Sequence, residues 1–289
     1  MKRCNPHLNL VIPMAGIGSR FRKAGYDTFK PFIKIDNKSM IQRVVENFPA
    51  SVKKWIITCE NLLTEEEASY LKDRLGCTLI FIEEHKEGPG YSILKAKDNL
   101  PRAGGFFISY CDIDWNWEFS EVEHLLGRSN IVFTHRGFHP HLINDNFSAF
   151  CKTRKNDDNL LDEIREKSSF TDSWMEEPVS IGLFYVVSRE KLFTPLANLI
   201  ANNNRVAGEF FPSLIFNELA ESGDNVTLYD VSFYIHWGVP AQLEDFMRWR
   251  EIATDTGRSV ADANLQSSYP ELVLSMAGNG ERMSEYSSV

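Results

Sequence analysis

Apolar positions along this 289-residue chain recur at two spacings, one of strands and one of helices. The unbroken run Leu10, Val11 and Ile12 predicts a strand over 10–14 buried on both faces. Phe32 to Ile35 is a short apolar segment, and Asn37-Lys38 suits a turn. Behind them Met40, Ile41, Val44, Val45 and Phe48 keep helical spacing, with Ser39 able to cap the helix. Further strands are predicted at 55–58, 78–82, 106–111 (ending at Asp112) and 131–134. Helices are expected between them, over about 65–75 and 91–99 and after 120. Thr64 with Glu67, and Ser120 with Glu123, have the spacing of a capping box. This rhythm predicts a mainly parallel sheet with helices on both faces. Ligands of such sheets collect at the carboxyl ends of strands, where a glycine loop after 14 and Asp112 both fall.

The second half is more mixed. Short strands are expected at 147–152 and 160–165 around an NDDN turn, and a long one over 179–187 is interrupted by Gly182. Helices at about 190–201 and 209–221, a strand near 233–236 and a closing amphipathic helix over 241–252 complete a domain ending near 256. Residues 272–283 read LVLSMAGNGERM against LVIPMAGIGSRF at 10–21, identical at seven of twelve positions including both glycines and the arginine. A lone strand and loop cannot bury its apolar face. We therefore read 1–256 as the main domain, 257–268 as a linker and 269–289 as the stub of a second, related domain of a longer parent chain.

Composition narrows the partners. At 43% hydrophobic residues the chain can bury a full core. A net charge of -9 argues against general binding to nucleic acid or an anionic membrane. A phosphorylated substrate would then need a local basic pocket. Cys4, Cys59, Cys77, Cys111 and Cys151 are scattered without CxxC spacing, which suits reduced thiols better than a disulfide framework. No run approaches the roughly 18 apolar residues of a membrane span, and no signal peptide is evident, so a cytoplasmic location is expected.

The local basic pocket has a candidate. In LVIPMAGIGSRFRKAGYDTFKP the first strand leads into Met14, Ala15, Gly16, Ile17, Gly18 and Ser19, then Arg20, with Lys30 ten residues on and Pro31 beside it. Glycines let backbone N–H groups approach a phosphate, and the two cations supply charge that backbone dipoles cannot. Asp112 is a hard oxygen donor at a strand end, suited to Mg²⁺. Asp114, two residues on, is a second or water-mediated ligand candidate. Gly88, Pro89 and Gly90 suit a loop lying against a planar base, or an ordinary turn. Gly182, in a strand of bulky residues, signals either close ligand approach or a bulge. His135, His139 and His141 lack the companions of a zinc site and read better as a pocket wall or turn. Trp115 and Trp117 either shelter a substrate or pack at the rim. Phe210 and Phe246 read as core or a subunit contact.

Taken in order, AGIGSRF…FKPFIKIDNKSMIQRVV, KEGPGYSILKA, ISYCDIDW, EIREK, EEPVSIGLFYV and YIHWGVPAQLEDF resemble the signature segments of the nucleotidyltransferases that activate sugar 1-phosphates. The wording of several is similar to the branch found in capsular and surface polysaccharide synthesis. The resemblance covers most of 8–250. It implies a mononucleotide-binding, Rossmann-like α/β fold of the GT-A type. It also implies a Mg²⁺-dependent reaction in which an NTP and a phosphomonoester, in most members a sugar 1-phosphate, give a nucleotide-linked product and pyrophosphate. On this reading Arg20 meets the β- and γ-phosphate oxygens and Lys30 the α-phosphate. Asp112 holds the metal and 88–90 reads the base. Glu166, Lys167 and Gly182 meet the second substrate. His236 stands where many members place a second metal-binding aspartate, and Val239 replaces their threonine. An imidazole is a poorer Mg²⁺ ligand than a carboxylate, so either Asp114 or Asp230 supplies that contact, or His236 meets a phosphate. Some relatives activate phosphocholine or phosphoglutamine instead of a sugar, and a homo-oligomer is compatible with the family.

Two other classes of function fit parts of the chain. CDID could be the D-x-D metal motif of a glycosyltransferase on a related fold, although such enzymes need no G-x-G-x-R…K-P loop. A non-catalytic relative that binds nucleotide or sugar phosphate would tolerate His236 and the altered base loop.

Overall fold

Residues buried on both faces build the centre of the sheet. The computed structural model describes residues 7–137 and 148–255. The first apolar run becomes β1 (Leu8–Pro13), followed by α1 (Ser19–Lys23), the small ladder β2 (Lys34–Ile35) and β3 (Lys38–Ser39), and α2 (Met40–Glu46). Next come β4 (Lys53–Thr58), α3 (Glu65–Ser69), β5 (Cys77–Phe81), α4 (Pro89–Lys95), β6 (Gly105–Ser109), β7 (Ile113–Asn116), α5 (Phe119–Val122) and β8 (Asn130–His135). The second half contributes β9 (Ala149–Arg154), β10 (Asp157–Glu166), β11 (Val179–Val186), α6 (Arg189–Ala201), α7 (Ile215–Glu221), β12 (Val226–Asp230), β13 (Phe233–His236) and α8 (Pro240–Asp255).

The main sheet runs β5-β4-β1-β6-β11-β8-β12-β10-β9. Its first half is parallel, as the βαβ rhythm predicts. β11 then enters between β6 and β8 antiparallel to both, and β10 is antiparallel to both β12 and β9. Side chains alternate along β1: Leu10 and Ile12 join the layer holding Ile41, Val44 and Val122, while Val11 joins the layer of Ile93, Leu192, Leu196 and Phe216. Helices thus cover both faces. A smaller cluster, Phe21, Ile35, Met40, Ile235, Trp237 and Phe246, ties α8 and β13 to the glycine loop.

Local capping signals hold where the chain supplies both partners. Ser39 Oγ accepts from Gln42 N at 3.2 Å, and the Thr64–Glu67 box closes with bonds of 2.8 and 3.2 Å. The Ser120–Glu123 box does not form, because α5 starts at Phe119 and Ser120 lies inside its first turn. The helix expected over 209–221 begins only at Ile215. Ahead of it Phe211 is extended, and Phe210 donates its N–H to Glu87 O and accepts at its carbonyl from Gly90 N, both at 2.8 Å. The turn expected at NDDN falls at 155–156, with Asp157–Asn159 already in β10. β12 had no counterpart in the sequence reading. Trp115 is core, stacked edge-on to Phe48 and Trp117. The 257–268 linker and the 269–289 stub, with the echo at 272–283, lie outside the described residues, as do His139 and His141.

Gly182 marks a shift of register between β11 and β8. Its φ is +86°, and a Cβ there would stand 2.6 Å from Tyr110 Cδ2. The Tyr110 ring is therefore what approaches this glycine. Gly182→Ala is expected to lower stability by about 1–3 kcal/mol, read as a lower urea midpoint. An unchanged midpoint would mean that the ring moves aside freely.

Candidate active site

The site begins where β1 ends. Met14 N–H still donates to Ile57 O at 2.7 Å, after which the chain leaves the sheet through Gly16 and Gly18. Gly18 takes a left-handed φ of +65°, and its carbonyl starts α1 by accepting from Phe21 and Arg22. Arg20 lies in that first turn, exposed at the edge of a cleft of about 310 Å³.

Lys30 reaches inward from the next turn and joins three separate segments. Its ammonium forms a short ion pair with Asp112, donates to Gly238 O at 3.0 Å, and lies 5.0 Å from the Phe21 ring centroid. Asp112 follows β6 by three residues and is 8% exposed. Burial alone would raise its carboxyl pKa, but the Lys30 ammonium and the His236 imidazole outweigh it and hold the pKa well below the usual range. His236 Nε2 stands 3.6 Å from Asp112 Oδ2, and Trp237 N–H donates to Asp112 O at 2.8 Å. Between them burial pushes the Cys111 thiol up to about 12, which keeps it protonated.

Asp114 does not join this centre. Its carboxylate accepts from Arg43 Nη1 at 3.1 Å and Asn47 Nδ2 at 3.0 Å. Asp230 is likewise held by Thr134 and Arg136. The two carboxylates of CDID therefore face different partners, Asp112 toward Lys30 and Asp114 toward Arg43, which weakens the glycosyltransferase reading. Among the described residues no three His, Cys, Asp or Glu side chains converge as a ready-made metal cage.

Gly88 and Pro89 line the cleft with His85. His85 Nδ1 accepts from Glu87 N at 3.1 Å and its Nε2 lies 2.9 Å from Ser92 Oγ, so the imidazole organises this loop. Gly90 is buried and its N–H is spent on Phe210 O, which corrects its expected place at the base.

Across the cleft stand Glu166, at the end of β10, and Lys167. Lys167 has a left-handed φ of 57°, and its ammonium lies 4.7 Å from the Phe211 ring centroid. Ser213 Oγ donates to Glu166 Oε2 at 2.6 Å. Burial raises the Glu166 carboxyl from 4.5 to about 7, with Ser213 and Lys167 offsetting part of the rise. The native state thus keeps a proton that the unfolded chain releases between these values, and stability falls as pH rises from about 4.5 to about 7. Glu166→Gln is expected to flatten that slope, measured as urea midpoints across the window; an identical slope would place the titration elsewhere.

The cleft gathers Met14, Ala15, Gly16, Gly18, Arg20, Lys30, Gly88, Pro89, Asp112, Glu166, Lys167 and His236. Ile17 and Ser19 line the space adjoining it. Gly182 borders a side cavity of about 40 Å³ with Tyr110, Glu166 and His236. Sequence reasoning missed Tyr110, His85, Glu209 and Phe211, all of which line the main cleft. Tyr110 and His85 sit inside the motifs already singled out, whereas nothing near Glu209 or Phe211 marks them.

Residues 10–140 match the MobA-like NTP transferase domain. No protein of curated function matches the chain by sequence. A nucleoside-diphosphate-sugar pyrophosphorylase from Vibrio cholerae has a similar structure, with TM-score 0.66 and 20% identity over 83% of this chain and 99% of that one. An inositol-1-phosphate CTP transferase from T. maritima (TM-score 0.61, 15% identity) covers 82% and 92% of the two chains. A UTP-bound UGPase from Acinetobacter baumannii (TM-score 0.61, 15% identity) covers 92% and 98%. At these identities the likeness is one of fold, and it agrees with the mixed α/β sheet described above. Residues 10–140 are thus similar to the MobA-like NTP transferase domain, on a fold shared with solved nucleotidyltransferases.

Proposed function

We propose that this enzyme transfers a nucleoside monophosphate from an NTP to a sugar 1-phosphate, or a similar small phosphomonoester, and releases pyrophosphate. The observation that carries this reading is that Lys30, ion-paired with Asp112, lines one cleft together with the glycine loop, Arg20 and the Glu166–Lys167 pair. The acceptor phosphate is already ionised, so its oxygen can attack the α-phosphorus without a general base. The new P–O bond forms as the α–β bridge bond breaks, and pyrophosphate leaves with the electron pair. What the chain must supply is alignment and positive charge where the phosphate oxygens gain charge. Lys30 serves the α-phosphate, Arg20 the β and γ oxygens, and Lys167 the acceptor phosphate, with Glu166 beside it.

A Mg²⁺ ion fits this donor set, because Mg²⁺ is commonly held by one or two carboxylates with phosphates and waters completing its shell. Asp112 would hold it, and the ion would neutralise charge on the phosphates. His236, beside Asp112, is then a phosphate contact rather than a metal ligand. The wording of YCD, EIREK and HWG-P supports a role in supplying precursors of capsular or surface polysaccharide. The test is pyrophosphate release from four NTPs against a panel of sugar 1-phosphates, phosphocholine and other phosphomonoesters, with and without Mg²⁺. One responsive pair is expected. Nucleotide binding with no turnover for any pair would favour the non-catalytic reading instead.

A further inference from the structure

We propose that residues 205–213 form a positioning strap that couples the two halves of the cleft, so that each substrate strengthens binding of the other. The proposal rests on the nucleotide and acceptor sides assigned above. At its start Arg205 forms an ion pair with Glu87 and lies 4.1 Å from the Phe210 ring centroid. Phe210 then exchanges two 2.8 Å backbone bonds with the nucleotide loop, to Glu87 O and from Gly90 N. The two chains meet without slack: a Cβ at Gly88 would stand 2.7 Å from Glu209 Cβ, and one at Gly90 2.9 Å from Phe210 O. One residue on, Phe211 underlies the Lys167 ammonium, and two further on Ser213 donates to Glu166.

Phe210 and Ser213 are both buried, and Pro212 between them restricts the backbone. A displacement at one end is therefore carried to the other. On the outer side the strap leaves α6 through left-handed residues at Asn203, Ala207 and Gly208, with φ of 52°, 49° and 84°. Two of these are not glycine, and the turn is closed by Val206 and Glu209, each N–H donating to the other's carbonyl at 3.0 Å, and by Arg205, which donates to Asn203 Oδ1 and Gly208 O. A nucleotide that orders 85–90 thus also holds Ser213 on Glu166, and an acceptor that orders Glu166–Lys167 returns the effect equally, since coupling between sites is reciprocal. Arg205 is not among the residues lining the cleft, and acts as a positioning residue through Glu87 and Phe210.

The experiment compares wild type, Arg205→Ala, Arg205→Lys and Ser213→Ala. Hydrogen exchange followed by mass spectrometry needs no turnover, so it tests the strap even if the pyrophosphate screen fails. Arg205→Ala is expected to speed exchange at 87–90 and also at 164–167, with Arg205→Lys restoring part of the protection. In steady-state assays with the pair found by the screen, the acceptor KM of wild type should fall about fivefold or more from low to saturating NTP. In Arg205→Ala and Ser213→Ala it should fall less than about twofold, with the NTP KM losing its dependence on acceptor by the same factor. The Arg205 side chain is 31% exposed, so its variants are expected to fold, and thermal midpoints check this. Faster exchange confined to 87–90, or an intact fivefold dependence in Arg205→Ala, would overturn the proposal.

Discussion

Lys30→Ala is expected to lower turnover by on the order of 10³ while the protein still binds NTP. On the proposed reading the ammonium meets the α-phosphate where charge builds up, and Asp112 and Gly238 O hold the ammonium in place. A preset cation of this kind costs no reorganisation during the reaction, so its loss falls on the chemical step rather than on substrate binding. There is a second effect. The Lys30 and Asp112 side chains are each 12% exposed, and removing the lysine leaves a buried carboxylate with only His236 nearby, a cost of about 3 kcal/mol in stability. Turnover by pyrophosphate release, NTP affinity by calorimetry and a urea midpoint separate the two effects. Loss of affinity with unchanged turnover would move Lys30 from the reacting phosphate to a binding role.

Asp112→Asn should be nearly as damaging, again on the order of 10³ in turnover, because the side chain anchors Lys30 and, on the proposed reading, would offer the hard oxygen for Mg²⁺. The two variants differ in their dependence on metal. Asp112→Asn should need far more Mg²⁺ for its residual activity, whereas Lys30→Ala should keep the wild-type requirement. Asp112 also carries a pH signature. Its carboxyl is held below its ordinary 3.8, so the stability it contributes is present above that value and is lost as pH falls below it. Asn at 112 removes that acid-side loss. A variant that kept a tenth of wild-type turnover at low Mg²⁺ would rule out Asp112 as the metal anchor.

Legibility followed the distance between partners. The β1 strand, the Ser39 cap and the Thr64–Glu67 box are settled by residues within a few positions of one another. The chain spells out their spacing, and the structure keeps it. That the glycine loop, Arg20, Lys30 and Asp112 share one cleft was legible because ligands of such sheets collect at the ends of buried strands. Asp114 was misjudged because the chain turns after Asp112 into the β7–β13 ladder, so a two-residue spacing no longer keeps both carboxylates on one side. Residues 209–211 read as helix since their apolar pattern allows it. They stay outside the helix because Phe210 finds its hydrogen-bond partners at Glu87 and Gly90, more than a hundred residues away, for which no local spacing exists.

The sequence by itself determined the parallel half of the sheet, the glycine loop after β1 and the charged groups beside it, since each depends on short-range periodicity or on residue types read directly from the chain. Only the tertiary structure decided where β11 enters the sheet, that Lys30, Asp112, His236 and Gly238 meet, that Asp114 turns to Arg43, and that Glu166 is buried enough to keep a proton up to about pH 7. Those outcomes depend on burial and on distances between segments far apart along the chain, and both exist only once the layers have packed.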